Sequence, residues 1–319
     1  MFRMDNRYVR FVSLIKRYHA PVMTTNFKVR TAKILGLIVL GIASLSFVSD
    51  SVYENEIKEW HKEREDALKT ENGWLNLAGL FWLEEGNNTF GGDGKNKIVF
   101  PADRSPANLG EFIVEKGQIT LEAKPEAEIY NNDQLVTKLT IFPYDKPIVL
   151  KHKSLRWFII KRGDKFAVRL KDLESPFLKE FKGIETYPVS ENWKVKAKFE
   201  PTEGRKIPII DITGRLDQQD SPGVLVFNIK GKEYRLDALK SGEGFFILFG
   251  DQTNKKETYG SGRFLYTKKL DADGYTDLDF NKAINPPCAF TPYATCPLPP
   301  KQNILAVAVT AGEKNYGHH

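Results

Sequence analysis

"LRWFIIKRGDKFAVRLKD", Leu155 to Asp172, settles the fold class of this 319-residue chain. Two runs rich in Trp, Phe, Ile and Val flank a Gly163-Asp164 pair, the pattern of antiparallel strands joined by a tight turn. Runs of the same kind recur on both sides: "NKIVF", "EFIVEKGQITLEA", "WKVKAKFEP" and "GVLVFNIKGKEYRLDAL", punctuated by Lys-Gly and Gly-Lys pairs. "KVKAKFE" alternates strictly, so one face of its sheet meets water. No βαβ spacing, G-x-G-x-x-G or phosphate-loop motif occurs, which argues against a nucleotide-binding α/β fold and leaves no cofactor expected. The expected fold is mainly β: two antiparallel lobes, sandwich- or barrel-like.

Residues 1–49 read as a leader or signal peptide, 50–71 as an amphipathic helix, 72–175 as the first lobe and 176–319 as the second. The helix rests on Ile57, Trp60, Arg64 and Leu68 at helical spacing, with Trp60 and Leu68 expected to pack on the body. The break between lobes falls near "KDLESPFLKEFKG", Lys171 to Gly183, a polar turn and short helix.

The leader has its own grammar. Basic "KVRTAK" precedes the uncharged run "ILGLIVLGIASLSFV", Ile34 to Val48, and then "SDS". A run of this length suits the apolar region of an export signal better than a membrane span of about 20 residues. Ser44 and Ser46 offer small residues for cleavage, and Met23 could serve as the true start. Export to the periplasm or cell envelope is the expectation, with an uncleaved anchor as the alternative and membrane association only through that leader. The same segment carries eight Lys/Arg against one acid, Asp5, so it accounts for the formal charge of +6 and leaves the remainder about −1. That excludes nucleic-acid binding as the reading of the basic pI.

Catalytic signatures are sparse. Neither H-E-x-x-H nor C-x-x-C occurs, so no metal site is expected. G-x-S-x-G is absent, and the only S-x-x-K lies in the leader, Ser13 to Lys16. His152, beside Lys151 and Lys153, reads as a surface residue. "DADGYTDLD", Asp271 to Asp279, lacks the ligand set of a calcium loop and reads as an Asp-Gly turn between strands.

Both cysteines lie in "NPPCAFTPYATCPLPP", Asn285 to Pro300, which holds six of the seventeen prolines and no charge. Each proline fixes its own φ and biases its predecessor toward extended geometry, so the segment reads as a rigid, packed loop suited to walling a site. Phe290 and Leu298 are the expected anchors, leaving Tyr293, Thr295 and Cys296 to face a cavity. Cys288 and Cys296 allow a disulfide, two inert buried thiols or one reactive thiol. Around this loop the polar residues set in apolar runs are Arg263, Asp279, Asn281, Asn285 and Glu313. They read either as a satisfied network, with Arg263 paired to Asp279 or Glu313, or as a pocket.

Two family resemblances follow. "TFGGDGKNKIVFP", "GQITLEA", "EIYNNDQLV" and "PIVLKHKSLRWFII" resemble the strand order and turn punctuation of a forkhead-associated β-sandwich. The phosphopeptide residues of that family do not carry over, since Gly91-Gly92 stands where it has Gly-Arg and no Ser-x-x-His follows. "FGDQTNKKETYGSGRFLY", "DLDFNKAINPPCAFTPYATCPLPPKQN" and "AVAVTAGEKNYG", with upstream "GWLNLAGLFWLEEG" and "NWKVKAKFEP", resemble the bacterial and archaeal family called domain of unknown function 1684. That resemblance implies no activity.

The functional expectation is an exported protein binding a small molecule in a pocket walled by Asn285–Pro300. Its ligand-binding residues would be Arg263, Tyr259, Asn281, Asn285, Tyr293, Thr295, Cys296 and Trp74. The alternatives are a hydrolase with Asp279 and Glu313 as its catalytic carboxylates, and an envelope interaction module using the first lobe.

Overall fold

The computed structural model describes residues 35–317, with side chains from residue 52. The chain is mainly β, as its periodicity requires, and divides into two compact units. Arg64–Gly183 with Pro287–Thr295 forms one unit. Ile184–Pro286 with the chain from Cys296, together with the helix up to Glu63, belongs to the other.

Helix α1, Leu35–Lys69, starts well before the expected helix because no Pro or Gly pair interrupts the apolar run leading into it. Its buried stripe is Tyr53, Ile57, Arg64 and Leu68, at 3.6-residue spacing, while Trp60 is only half-buried. Residues 1–34 of the leader lie outside the described residues, and so do the side chains of 35–51. No helix among the described residues is long and apolar enough to cross a membrane.

The first unit carries strands β1 Leu77–Trp82, β2 Gly86–Gly91, β3 Ile98–Val99, β4 Gly110–Glu115, β5 Gln118–Ala123, β6 Tyr130–Asn131, β7 Gln134–Leu135, β8 Lys138–Phe142, β9 Leu150–His152, β10 Leu155–Arg162 and β11 Lys165–Asp172. They form a sheet of order β1-β11-β10-β9-β6-β7 and another of order β3-β2-β4-β5-β8. Both bury one face in a common core, where Phe90 stacks on Phe112 and meets Trp157 edge-on. The opening stretch is β10 and β11, paired antiparallel from Leu155↔Asp172 to Arg162↔Lys165. Lys116 and Gly117, which link β4 to β5, both take positive φ, the backbone that a two-residue hairpin turn demands. Contrary to expectation, His152 is 2 % exposed, its Nδ1 facing the Glu128 carbonyl at 3.4 Å. Alternation with Leu150 turns it inward, and pairing with Leu155 places it beside the core.

The short helix α2, Pro176–Glu180, precedes the second unit. Its strands are β12 Lys194–Pro201, β13 Lys206–Ile210, β14 Leu216–Asp220, β15 Gly223–Ile229, β16 Lys232–Ser241, β17 Gly244–Phe249, β18 Arg263–Tyr266 and β19 Tyr275–Asp279. Six of them make a sheet of order β18-β17-β16-β15-β12-β19, and β13 and β14 form a separate hairpin. Leu225, Leu236, Ile247, Leu265, Leu278 and Phe280 build a second core. In "DADGYTDLD", Asp271 Oδ1 accepts the Asp273 and Tyr275 amides at 3.1 and 2.8 Å, which makes the motif a turn.

Candidate functional site

Sequence reading put Arg263 at the centre of a site. Arg263 opens β18 and is fully buried. Its Nη2 donates to Asp251 Oδ2 at 2.9 Å and to the Val309 carbonyl at 2.9 Å, and its Nη1 donates to the carbonyls of Ala311 (2.5 Å) and Glu313 (3.3 Å). Asp251 Oδ1 accepts the Thr253 amide and hydroxyl and the Val309 amide. The guanidinium thus clasps the C-terminal segment and is enclosed by it. Desolvation pushes its pKa down, and Asp251 opposes that shift. The carboxylate facing it is Asp251, not the Asp279 or Glu313 side chain expected. Two glycines make the close approach possible: a Cβ on Gly262 (φ +88°) would lie 2.4 Å from Pro299 Cγ, and one on Gly312 (φ +75°) 2.6 Å from the Ala283 carbonyl oxygen.

The expected carboxylates belong to two different networks. Glu313 is buried and its Oε2 accepts the Asn285 amide at 2.6 Å, while Asn285 Nδ2 donates to the Lys314 carbonyl at 2.7 Å. Asp279 ends β19, and its Oδ1 accepts the Tyr53 hydroxyl at 2.8 Å and the Asn281 amide at 3.2 Å. Asn281 is saturated by Tyr53, Ser190 and Asp279, and Lys282 Nζ stands 3.9 Å from Asp279 Oδ2. Burial and the Asp279 carboxylate push the Tyr53 phenol far up, so it stays a donor. Tyr259 is half-buried; its phenol is raised by burial, and its carbonyl accepts Asn254 Nδ2 at 2.9 Å. Each of these residues makes at least one hydrogen bond, while Arg263 Nε, Asn285 Oδ1 and Glu313 Oε1 are buried polar atoms that make no hydrogen bond among the described residues.

The proline segment is as irregular as its composition dictates, with a single 3-10 turn at Pro287–Ala289. Its two cysteines are disulfide-bonded, and no cysteine is free. From the second cysteine on, the segment runs beside the end of β13 and the residues after it, through Ile212 N to the Cys296 carbonyl (3.0 Å) and Leu298 N to the Ile210 carbonyl (2.7 Å). Leu298 and Thr295 are half-buried. Residues 287–295, which sequence reading placed in the second lobe, pack within the first unit. There Phe290 lies 6.1 Å from Trp74, whose ring is covered by the Arg64 guanidinium at 4.5 Å. Thr291 Oγ1 donates to the Leu77 carbonyl at 3.3 Å, and Tyr293 meets Phe177 edge-on.

The Tyr293 carbonyl accepts a hydrogen bond from Nη1 of Arg169, a residue that sequence reading did not single out. Arg169 sits in β11 opposite Leu80 of β1 and Phe158 of β10, on the face turned away from the sandwich core. Two residues along, Trp82, Ala167 and Ile160 occupy the same face. Arg169 is 7 % exposed, and no carboxylate among the described residues pairs with it. Desolvation, with a smaller push from Arg162, brings its pKa down to about 10. The legible signal was a lone charge inside "FAVRL", a strand flanked by partners on both sides. No group of His, Cys, Asp and Glu among the described residues is arranged to hold a metal ion. Two surface clefts of the first unit, ≈ 340 and ≈ 410 Å³, lie at the Gly117 and Asp164 turns and along Pro143–Ile148, and no expected site residue lines either.

Two solved structures are similar to parts of the chain. An uncharacterized protein of Haloarcula marismortui, determined by solution NMR, is 28% identical over 44% of this chain and 80% of its own, with a TM-score of 0.37. A chain described under "Structural and functional analysis of phosphothreonine-dependent FHA domain interactions" is 13% identical over 29% of this chain and 92% of its own, with a TM-score of 0.21. No curated protein matches. Residues 179–314 match the model of the family described as Protein of unknown function (DUF1684), the family that the C-terminal motifs resemble.

Proposed function

We propose that this protein binds a small anionic molecule on the outer face of the β1-β11-β10 sheet, beside the proline segment. One observation carries the reading: Arg169 is more than nine-tenths buried yet has no carboxylate partner among the described residues. Taking a cation out of water without an acid is costly, and a bound anion offsets that cost. A strongly desolvated charge away from its usual partner is also a common mark of a binding site. The site keeps the proline segment as one wall and replaces Arg263, which is fully enclosed, with Arg169. Export remains part of the proposal, supported by the basic-then-apolar leader, and N-terminal sequencing of the protein from an envelope fraction tests it.

Thermal unfolding of the full chain with acetate, benzoate or inorganic phosphate tests binding. At least one anion is expected to raise the Tm of the wild type and to leave Arg169→Gln unmoved. Equal shifts in both proteins, or none in the wild type, overturn the reading.

A further inference from the structure

The guanidinium edge left open at Arg169 has a definite shape. Nη1 is committed to the Tyr293 carbonyl, whereas Nε and Nη2 make no hydrogen bond among the described residues. Those two N–H groups are the parallel pair that a carboxylate meets with both oxygens at once. Of the other cations on that face, Lys171 donates to the Glu71 carbonyl, Arg156 pairs with Glu71 at 3.3 Å and donates to the Lys153 carbonyl, and Arg162 donates to the Lys161 carbonyl, while Lys165 lies opposite Arg162 at the far end of the strands. One open fork accommodates one planar carboxylate.

The surroundings describe the rest of the ligand. Leu80 and Phe158 flank Arg169 across the two strand pairings, and Trp82, 43 % exposed, stands two residues farther along the same face. Tyr293 and Phe177, ring centroids 6.5 Å apart, belong to the side where the Tyr293 carbonyl is gripped. A flat apolar body lying on such a surface removes aromatic area from water while its head group reaches the buried cation.

Resting on the anion-binding reading above, we propose that the ligand is an arylcarboxylate: one planar carboxylate held by the Nε/Nη2 edge of Arg169, with an aromatic body lying on the Trp82 side of the face. Trp82 is a specificity residue in this arrangement and Arg169 the anchor.

The test is calorimetric titration of the full chain with benzoate, methyl benzoate, acetate and inorganic phosphate. Benzoate is expected to bind more tightly than acetate or phosphate, and the ester, which keeps the ring and loses the charge, not at all; these comparisons need no variant. Arg169→Lys keeps the charge but loses the fork, so benzoate affinity is expected to fall by about tenfold or more. Trp82→Ala, at an exposed position, is expected to weaken benzoate about fivefold and leave acetate unchanged. Phosphate outcompeting benzoate, or Arg169→Lys binding benzoate as the wild type does, overturns the arylcarboxylate while leaving anion binding intact. Binding of the ester as well as the acid, or no anion bound at all, overturns both.

Discussion

At the residue scale the most consequential group is a fully buried arginine. Arg263 and Asp251 are both wholly enclosed, and their separation of 2.9 Å is supplemented by carbonyls of the C-terminal segment. Removing either member strands the other's charge in the interior, so Arg263→Ala or Asp251→Ala is expected to cost about 3–5 kcal/mol in urea unfolding. A second residue-scale prediction concerns alkaline pH. The Tyr187 phenol donates to Glu257 Oε2 at 3.1 Å, and burial together with that carboxylate raises it to about 12. Its ordinary value is about 10, so the neutral phenol favours the folded state. That contribution is complete below about pH 10 and is lost as pH rises through about 12. Tyr187→Phe is expected to flatten the decline in stability across that window, as followed by circular dichroism. The importance of Arg263 was legible as a charge inside apolar runs. Its partner was not, because Asp251 and Arg263 meet only after β17 and β18 pair, and the eleven intervening residues obscure their proximity.

Single elements were the most legible part of the chain. Hairpins announced themselves because period-two alternation and Lys-Gly turns are local properties, and each of those turns lies where the backbone reverses. Helix α1 was legible in its buried stripe but not in its start, since an apolar run carries no cap to mark a beginning. The proline segment was legible as irregular and rigid, but its packing depends on partners far away in sequence, such as Leu77 and Arg169. Its disulfide closes a short loop, and the chain-entropy estimate for such a loop is about 2–3 kcal/mol. Replacing both Cys288 and Cys296 with Ala is expected to lower unfolding stability by that amount. Dithiothreitol should lower the wild type to the same level and leave the double variant unchanged.

For the whole molecule, composition was informative only after division. The formal charge of +6 belongs to the first 49 residues, and without them the chain is nearly neutral. The two buried clusters, one around Trp157 and one around Phe280, follow the two sets of strands that periodicity separates. The site proposed at Arg169 was not legible at this scale, because its charge, its apolar neighbours and Tyr293 are spread over β1, β10, β11 and a segment more than 120 residues downstream.

That last connection bears on how the chain can be divided. Residues 179–314 include 287–295, yet those nine residues settle among strands that begin before residue 90. Expressing 179–314 alone would leave Phe290 without Trp74 and the Tyr293 carbonyl without its donor. Such an excised piece is expected to elute as aggregate in size-exclusion chromatography, whereas a version beginning at Ser51, which keeps Tyr53 and Ile57, should elute as a discrete species. A boundary drawn from sequence similarity therefore cuts through a folding unit.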